Sequence, residues 1–229
     1  MIKNLMRGPA VLVLALIPLI AAPAASAATA APAVPAAAEV LMLSEALGQL
    51  PVVEESREGY ERSKFKHWNA GLDPRDGCNT RNEVLLAEAV EMPEVGPGCK
   101  LTGGLWLSYY DEQMVDDPSK IDIDHMVPLA EAWDSGASAW TAQRREAYAN
   151  DQGASTSLVA VTARSNRQKA DKDPAQWTPA PAATCRYLAE WVGTKLRWGL
   201  SADQVEADAV GVYAAGPCEN TVVHYTPAP

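Results

Sequence analysis

The chain has little phenylalanine and little histidine, one Phe and three His in 229 residues. It has no Cys-x-x-Cys pair, and beyond residue 27 it has no apolar run approaching the ~20 residues that cross a bilayer. With so little phenylalanine, the seven tryptophans, among them Trp106, Trp133, Trp140 and Trp177, read as core filler rather than as a stacking track. The missing cysteine pair excludes a structural zinc knuckle. Basic residues are also outnumbered, 19 Lys+Arg against 29 Asp+Glu, for a net charge of −10. That balance excludes coating of nucleic acid or an anionic membrane by bulk charge, which needs a positive surface field. Any contact with phosphate must be local, or carried by a metal ion.

What is present begins with a leader. Lys3 and Arg7 precede an apolar stretch over residues 10–22, interrupted only by Pro18, and Ala25-Ser26-Ala27 supplies small residues for cleavage. Residues 1–27 read as a secretory signal peptide, too short and too proline-broken for a membrane anchor. Its removal leaves 17 basic and 29 acidic residues, a net −12. Residues 28–38 are Ala/Pro-rich and uncharged, a flexible leader, and the folded domain is expected over 39–229. Cys78, Cys99, Cys185 and Cys218 all lie in the exported part, so two disulfides are expected. Of the three pairings, Cys78–Cys99 with Cys185–Cys218 is favoured because each closes a modest loop, worth about 3 kcal/mol.

Apolar spacing predicts helices over 40–50 and 54–65, over 81–89, over 141–149 and over 184–198, the last with Tyr187, Leu188, Trp191, Val192 and Leu196 on one face. Ser165 is a candidate cap for a short helix near Asn166, and Ser201 for a helix over 202–214. Residues 101–110 alternate as in a strand or hairpin, and 121–127 and 158–161 read as strands. There is no internal repeat. The fold class that follows is α+β, a helix-rich single domain with a small β element in the middle.

The chemistry concentrates in IDIDHMVPLAEAW. Asp122, Asp124 and His125 interrupt an apolar strand, and buried polar groups cost free energy unless they are paired or used. Regular alternation places Asp122 and Asp124 on one face and His125 on the other; a twist or bulge would bring Asp124 and His125 to one site. Downstream, LVAVTARSNRQKADKDP runs a strand into a basic helix start. A carboxylate with an amide oxygen suits a hard cation, and a neutral imidazole beside them can activate water.

Asp124-His125-Met126-Val127-Pro128 with Asn166-Arg167-Gln168-Lys169 resembles the HNH, or ββα-metal, endonuclease motif, in the form found in exported bacterial HNH proteins and in the C-terminal nuclease domain of GmrSD-type restriction enzymes. YERSKFKHW, CNTRNEVLL, GGLWLSYYD, PLAEAWDSGA, RREAYAND and DPAQW extend the resemblance over residues 60–218. It implies a ββα-metal core over about residues 119–175, with His125 as general base and Asp124 and Asn166 as ligands of a divalent metal, Mg²⁺ or Mn²⁺. It further implies that Lys169 and Arg167 hold substrate phosphates. A solvated helix face pairing with Asp171 and Asp173 is the alternative for those two, and the sequence does not choose between them.

Three departures stand out. Ser157 occupies the position of the central asparagine that orients the histidine in many members, so Ser157 or Asn150 is expected to substitute. Thr162 and Ser165 stand where zinc-bearing members have cysteines. A 41-residue spacing from His125 to Asn166 requires an insertion between the two strands, filled by the 141–149 helix. Elsewhere, His67-Trp68 beside Lys64 and Lys66 reads as a packed aromatic under a basic rim, with nucleic-acid contact through Trp68 stacking on a base as the alternative. Arg81 reaches either a phosphate or Glu83 or Asp76, and His224 falls in a frayed tail. The expectation is a secreted, monomeric, metal-dependent endonuclease acting on DNA, with RNA as an alternative substrate and no membrane or protein partner. The rival is an exported binding module that kept the scaffold and lost activity.

Overall fold

The computed structural model describes residues 37–229. The expected signal peptide and most of the Ala/Pro leader lie outside the described residues. From residue 39 the chain forms an α+β domain of four two-stranded antiparallel sheets among seven helices. Strand β1 (Glu39–Met42) pairs with the C-terminal β8 (Val222–Tyr225), with Val40 opposite His224. The tail carrying His224 is therefore paired rather than frayed, because β1 offers it a complete ladder.

Helix α1 (Leu43–Leu47) follows β1 directly, so the expected 40–50 helix is a strand and a short helix. The expected 54–65 helix is instead loop with one 3₁₀ turn at Arg62–Lys64. Its apolar residues pack without helical backbone: Phe65 is buried against Tyr60, Trp133 and Tyr148. Helix α2 (Thr80–Ala87) starts where the Asn79 side chain accepts the Asn82 N–H. Residues 101–110 split between two hairpins, β2 (Glu94–Gly96) with β3 (Lys100–Thr102) and β4 (Trp106–Ser108) with β5 (Gln113–Val115). Gly103 and Gly104 separate them at positive φ.

The centre is β6 (Ile121–His125) paired with β7 (Leu158–Thr162), followed at once by α5 (Ala163–Lys169). The Thr162 hydroxyl caps α5 by accepting the Ser165 N–H. The cap is thus three residues earlier than Ser165, which lies buried inside the helix. The outer edge of β7 is closed by side chains, Glu88 accepting from Ala160 N–H and Ser108 Oγ from Thr162 N–H. The insertion between β6 and β7 holds α3 (Leu129–Asp134), a 3₁₀ turn and α4 (Ala142–Ala149), one helix more than expected.

Helix α6 (Thr184–Trp198) buries Tyr187, Leu188, Trp191 and Val192 as its periodicity predicts, and ends at Gly199 in the left-handed conformation. Helix α7 (Gln204–Ala214) is capped by Asp203, not Ser201. Trp106, Trp133, Trp191 and Trp198 are buried in the core. Cys78 bonds Cys99 and Cys185 bonds Cys218, the sequence-local pairing.

Candidate active site

Two periodicities meet between β6 and α5. Two residues of strand advance ~6.6 Å and three of helix ~4.5 Å, so i, i+2 on β6 can face i, i+3 on α5. Asp122 and Asp124 face Asn166 and Lys169 in this way. Asn166 Nδ2 donates to Asp122 Oδ2 at 3.1 Å, and Lys169 Nζ lies 2.7 Å from Asp124 Oδ2. A carboxylate only accepts, so the first bond fixes the amide and turns Asn166 Oδ1 away as a spare acceptor. Tyr110 also donates to Asp124 Oδ2, at 2.8 Å. Among the described residues no protein donor reaches Asp124 Oδ1.

Lys169 is fully buried, and its ammonium donates to the His125 carbonyl as well, at 3.0 Å. Lys169 does not hold a substrate phosphate as expected: with its head group sealed against Asp124, it holds the carboxylate instead. Burial raises the Asp124 carboxyl and lowers the Lys169 ammonium, and the contact between them works against both shifts.

His125 is buried too, and its Nε2 lies 2.9 Å from the Ala149 carbonyl. A carbonyl can only accept, so Nε2 carries the proton and Nδ1 keeps the lone pair. Burial pushes the imidazole down to about 3; the Ala149 bond opposes this, while Arg62, His67 and Lys169 add to it. The ring is thus neutral at physiological pH. Trp68 stacks on it at 5.4 Å and 25°, and Tyr148 lies near-parallel at 6.4 Å and 18°.

Neither side chain expected to orient the histidine does so directly. Ser157 Oγ donates to Asp151 Oδ2, which also takes Arg197 and Trp198. Asn150 donates to the carbonyls of Lys66 and Glu146 and accepts from Asn69 N–H. The contact comes from the backbone of Ala149, which no side-chain pattern could have revealed.

A cavity of about 450 Å³ brings Asp124, His125 and Asn166 together with Arg62, Arg167 and Tyr60. Asp124 and His125 share it without a bulge, since β6 keeps its register through His125. Arg62 and Arg167 are exposed, and neither pairs with a carboxylate among the described residues. A larger groove of about 880 Å³ on the other flank of α5 holds Lys120, Arg164 and Asp111 but neither Asp124 nor His125; Arg167 borders both. Sequence reading missed Arg62, Tyr110 and the Trp68 stack. The bond from Asn166 to Asp122 was also unassigned, although the i, i+2 relation of Asp122 to Asp124 was its legible signal. Arg81 donates to the carbonyls of Pro118 and Ile121, which makes it a brace for β6.

A second acidic group, Glu55, Glu131 and Glu206, places carboxylate oxygens within 4.8 Å of one another. The Lys195 ammonium already contacts Glu131 and Glu206 there, so the group has its cation.

Residues 99–210 match the family described as GmrSD restriction endonucleases, C-terminal domain. Asp124, His125, Asn166 and Lys169 lie within that span, whereas Arg62 and Trp68 precede it. No solved structure matches the chain. It is 37% identical over 155 residues to an "uncharacterized secreted protein" of Arthroderma benhamiae, an alignment that covers 67% of this chain and 74% of the relative. At that identity and coverage, the chain belongs to one family with that secreted protein and carries a region similar to the GmrSD C-terminal domain.

Proposed function

We propose that this protein is a secreted HNH-type endonuclease that uses a divalent metal to hydrolyse phosphodiester bonds of DNA, with RNA as an alternative substrate and with little sequence reading. The observation that carries the reading is one cavity holding Asp124, Asn166 and a neutral His125 whose Nδ1 lone pair has no protein partner among the described residues. The family description, restriction endonucleases, supports the same chemistry. Secretion is supported by the leader, the two disulfides and the secreted relative.

The donor set fits a hard cation: a carboxylate oxygen and an amide oxygen, with no thiolate to favour zinc. Asp124 and Asn166 would hold the ion, which, when bound, would polarise the phosphate and stabilise the leaving oxygen. Asp122 fixes Asn166 and Lys169 fixes Asp124, so both ligands are oriented in advance. His125 Nδ1 takes a proton from water as its oxygen attacks phosphorus. The P–O3′ bond breaks and O3′ takes a proton from solvent water, leaving a 5′-phosphate and a 3′-hydroxyl. Arg62 and Arg167 meet phosphate oxygens at the rim, a local positive spot on a negative body.

Cleavage of supercoiled plasmid by residues 28–229, with Mg²⁺, Mn²⁺ or EDTA, tests this. Nicking should require metal and fall about 10²- to 10⁴-fold in His125→Ala. Metal binding without turnover by the folded protein would favour the inactive-module reading, and activity surviving His125→Ala would move the site elsewhere.

A further inference from the structure

We infer that Trp68 is a positioning residue for His125, taking over with Ala149 and Asn150 the orienting task that no side chain at Ser157 performs. The inference rests on the nuclease reading for its kinetic consequence, and on geometry alone for the placement.

A single hydrogen bond at Nε2 leaves an imidazole free to swing about that bond. The near-parallel stack of Trp68, 25° from the imidazole plane, removes the swing by covering a ring face. Tyr148 lies close to parallel as well. Its hydroxyl is anchored on the Val127 carbonyl, two residues beyond the histidine.

Trp68 is held where it is at a cost. Its φ is +58°, a left-handed conformation that tryptophan adopts only when its surroundings impose it. The surroundings do so on both sides. Asn150 ties the Lys66 carbonyl at 2.9 Å and the Asn69 N–H at 3.0 Å. Thr80 Oγ1 donates to Asn69 Oδ1 at 2.7 Å, and the Thr80 N–H donates to the Asn69 carbonyl at 3.1 Å. Consecutive residues at the end of α4 thus set two constraints on one ring, Ala149 at its edge and Asn150 at its face by way of Trp68. A tryptophan serving only as core would not need a strained backbone pinned to the residue next to the one that holds the histidine.

The test uses Trp68→Phe, Trp68→Leu and Trp68→Gly in residues 28–229. Glycine relieves the positive φ while removing the ring, and because Trp68 also packs against the core cluster that includes Val84, Leu85 and Trp106, each variant is read only at temperatures where its circular dichroism matches the folded wild type. Plasmid nicking should show kcat down about 10- to 100-fold in the Leu and Gly variants with KM within about twofold, and rescue by Phe. ¹⁵N-histidine NMR at fixed pH should show one Nε2–H tautomer for His125 in the wild type and a tautomer mixture in Trp68→Gly. Wild-type kcat in the Gly variant overturns the inference, as does an unchanged His125 nitrogen pattern. If the wild type cleaves nothing, the nuclease reading fails separately, and the NMR comparison alone upholds or overturns the placement of His125.

Discussion

Two lysines, Lys169 and Lys195, are fully buried, and their surroundings differ in a way that separates a site from a strut. Lys195, on α6, touches Glu131 and Glu206 and lies 3.9 Å from Glu55, while Ser135 and the Ser201 carbonyl take further hydrogen bonds. Three carboxylates share one ammonium, so burial drives Glu55 up to about 8 and Glu206 up to about 7. Lys169 has one carboxylate, Asp124, and that carboxylate keeps an oxygen facing a cavity beside a neutral imidazole. The richer cluster of acids is therefore the spent one. Chemistry is available where a buried pair leaves one acceptor unsatisfied, not where charges are most numerous.

Lys195→Met should break the comparison hardest. It leaves carboxylates in the interior without a counter-ion, a loss of about 3–5 kcal/mol. Because those carboxylates can take up protons, the loss should shrink on acidification, so urea unfolding of the variant should show a much larger deficit at pH 8 than at pH 5. Equal deficits would mean that the cluster is not what Lys195 stabilises.

Lys169→Met comes next, at about 2–3 kcal/mol, because Asp124 keeps Tyr110 and the open cavity. Here a cation can replace the lost ammonium. Mg²⁺ at ~100 times its Kd would return about 2.7 kcal/mol, read as a rise in melting temperature that EDTA reverses. Mg²⁺ rescue of Lys195→Met but not of Lys169→Met would transfer the metal site to the glutamate cluster.

The sequence made one of these two regions legible and hid the other. Asp122, Asp124 and His125 stand out because polar residues interrupt an apolar strand, and α5 stands out because Asn166 and Lys169 follow a second strand; their meeting is a consequence of two local periodicities. Lys195 looked like an ordinary residue in an amphipathic helix, and its partners Glu55, Glu131 and Glu206 are scattered over 152 positions. Nothing local announces such a contact. The orienting carbonyl of Ala149 was hidden for a different reason, since every residue has one. The loop at 54–65 misled because its Tyr60 and Phe65 pack in the core without a helix, tertiary burial mimicking local spacing. The cap of α5 was misplaced because Thr162 is both the end of β7 and the cap, leaving no loop to mark the boundary.

Glu206→Gln sharpens the contrast through pH. The Glu206 carboxyl is raised in the folded state from an ordinary value of 4.5 to about 7. Its contribution to stability is complete below pH 4.5 and is lost as pH rises through about 7. His125 works in the other direction: lowered to about 3, it costs stability as pH falls below 6.5 toward 3. Between pH 4.5 and 6.5 these two slopes oppose each other. Glutamine stays uncharged and can still accept the Trp191 N–H. The variant should therefore lose less than the wild type between pH 5.5 and 8.5, by roughly 1–3 kcal/mol in urea unfolding. A wild-type slope in the variant would show that the proton resides elsewhere in the cluster.

The smallest effect concerns the rim rather than either buried pair. Arg62 and Arg167 border the cavity and are exposed, so alanine at either position should leave stability within about 0.5 kcal/mol of wild type. What changes is attraction to phosphate. Each arginine that neutralises one phosphate releases about one counterion, so each variant should raise KM for DNA at low salt and flatten the dependence of log KM on log salt by about one unit of slope, with kcat nearly constant. The salt slope matters more than the KM itself, because a body of net charge −12 after removal of residues 1–27 repels DNA at long range whichever arginine is removed. A rise in KM with an unchanged slope would mean that the side chain shapes the cavity and touches no phosphate. A loss confined to Arg62→Ala would place the strand on the Tyr60–Arg62 side of the cavity rather than over α5, where Arg167 lies.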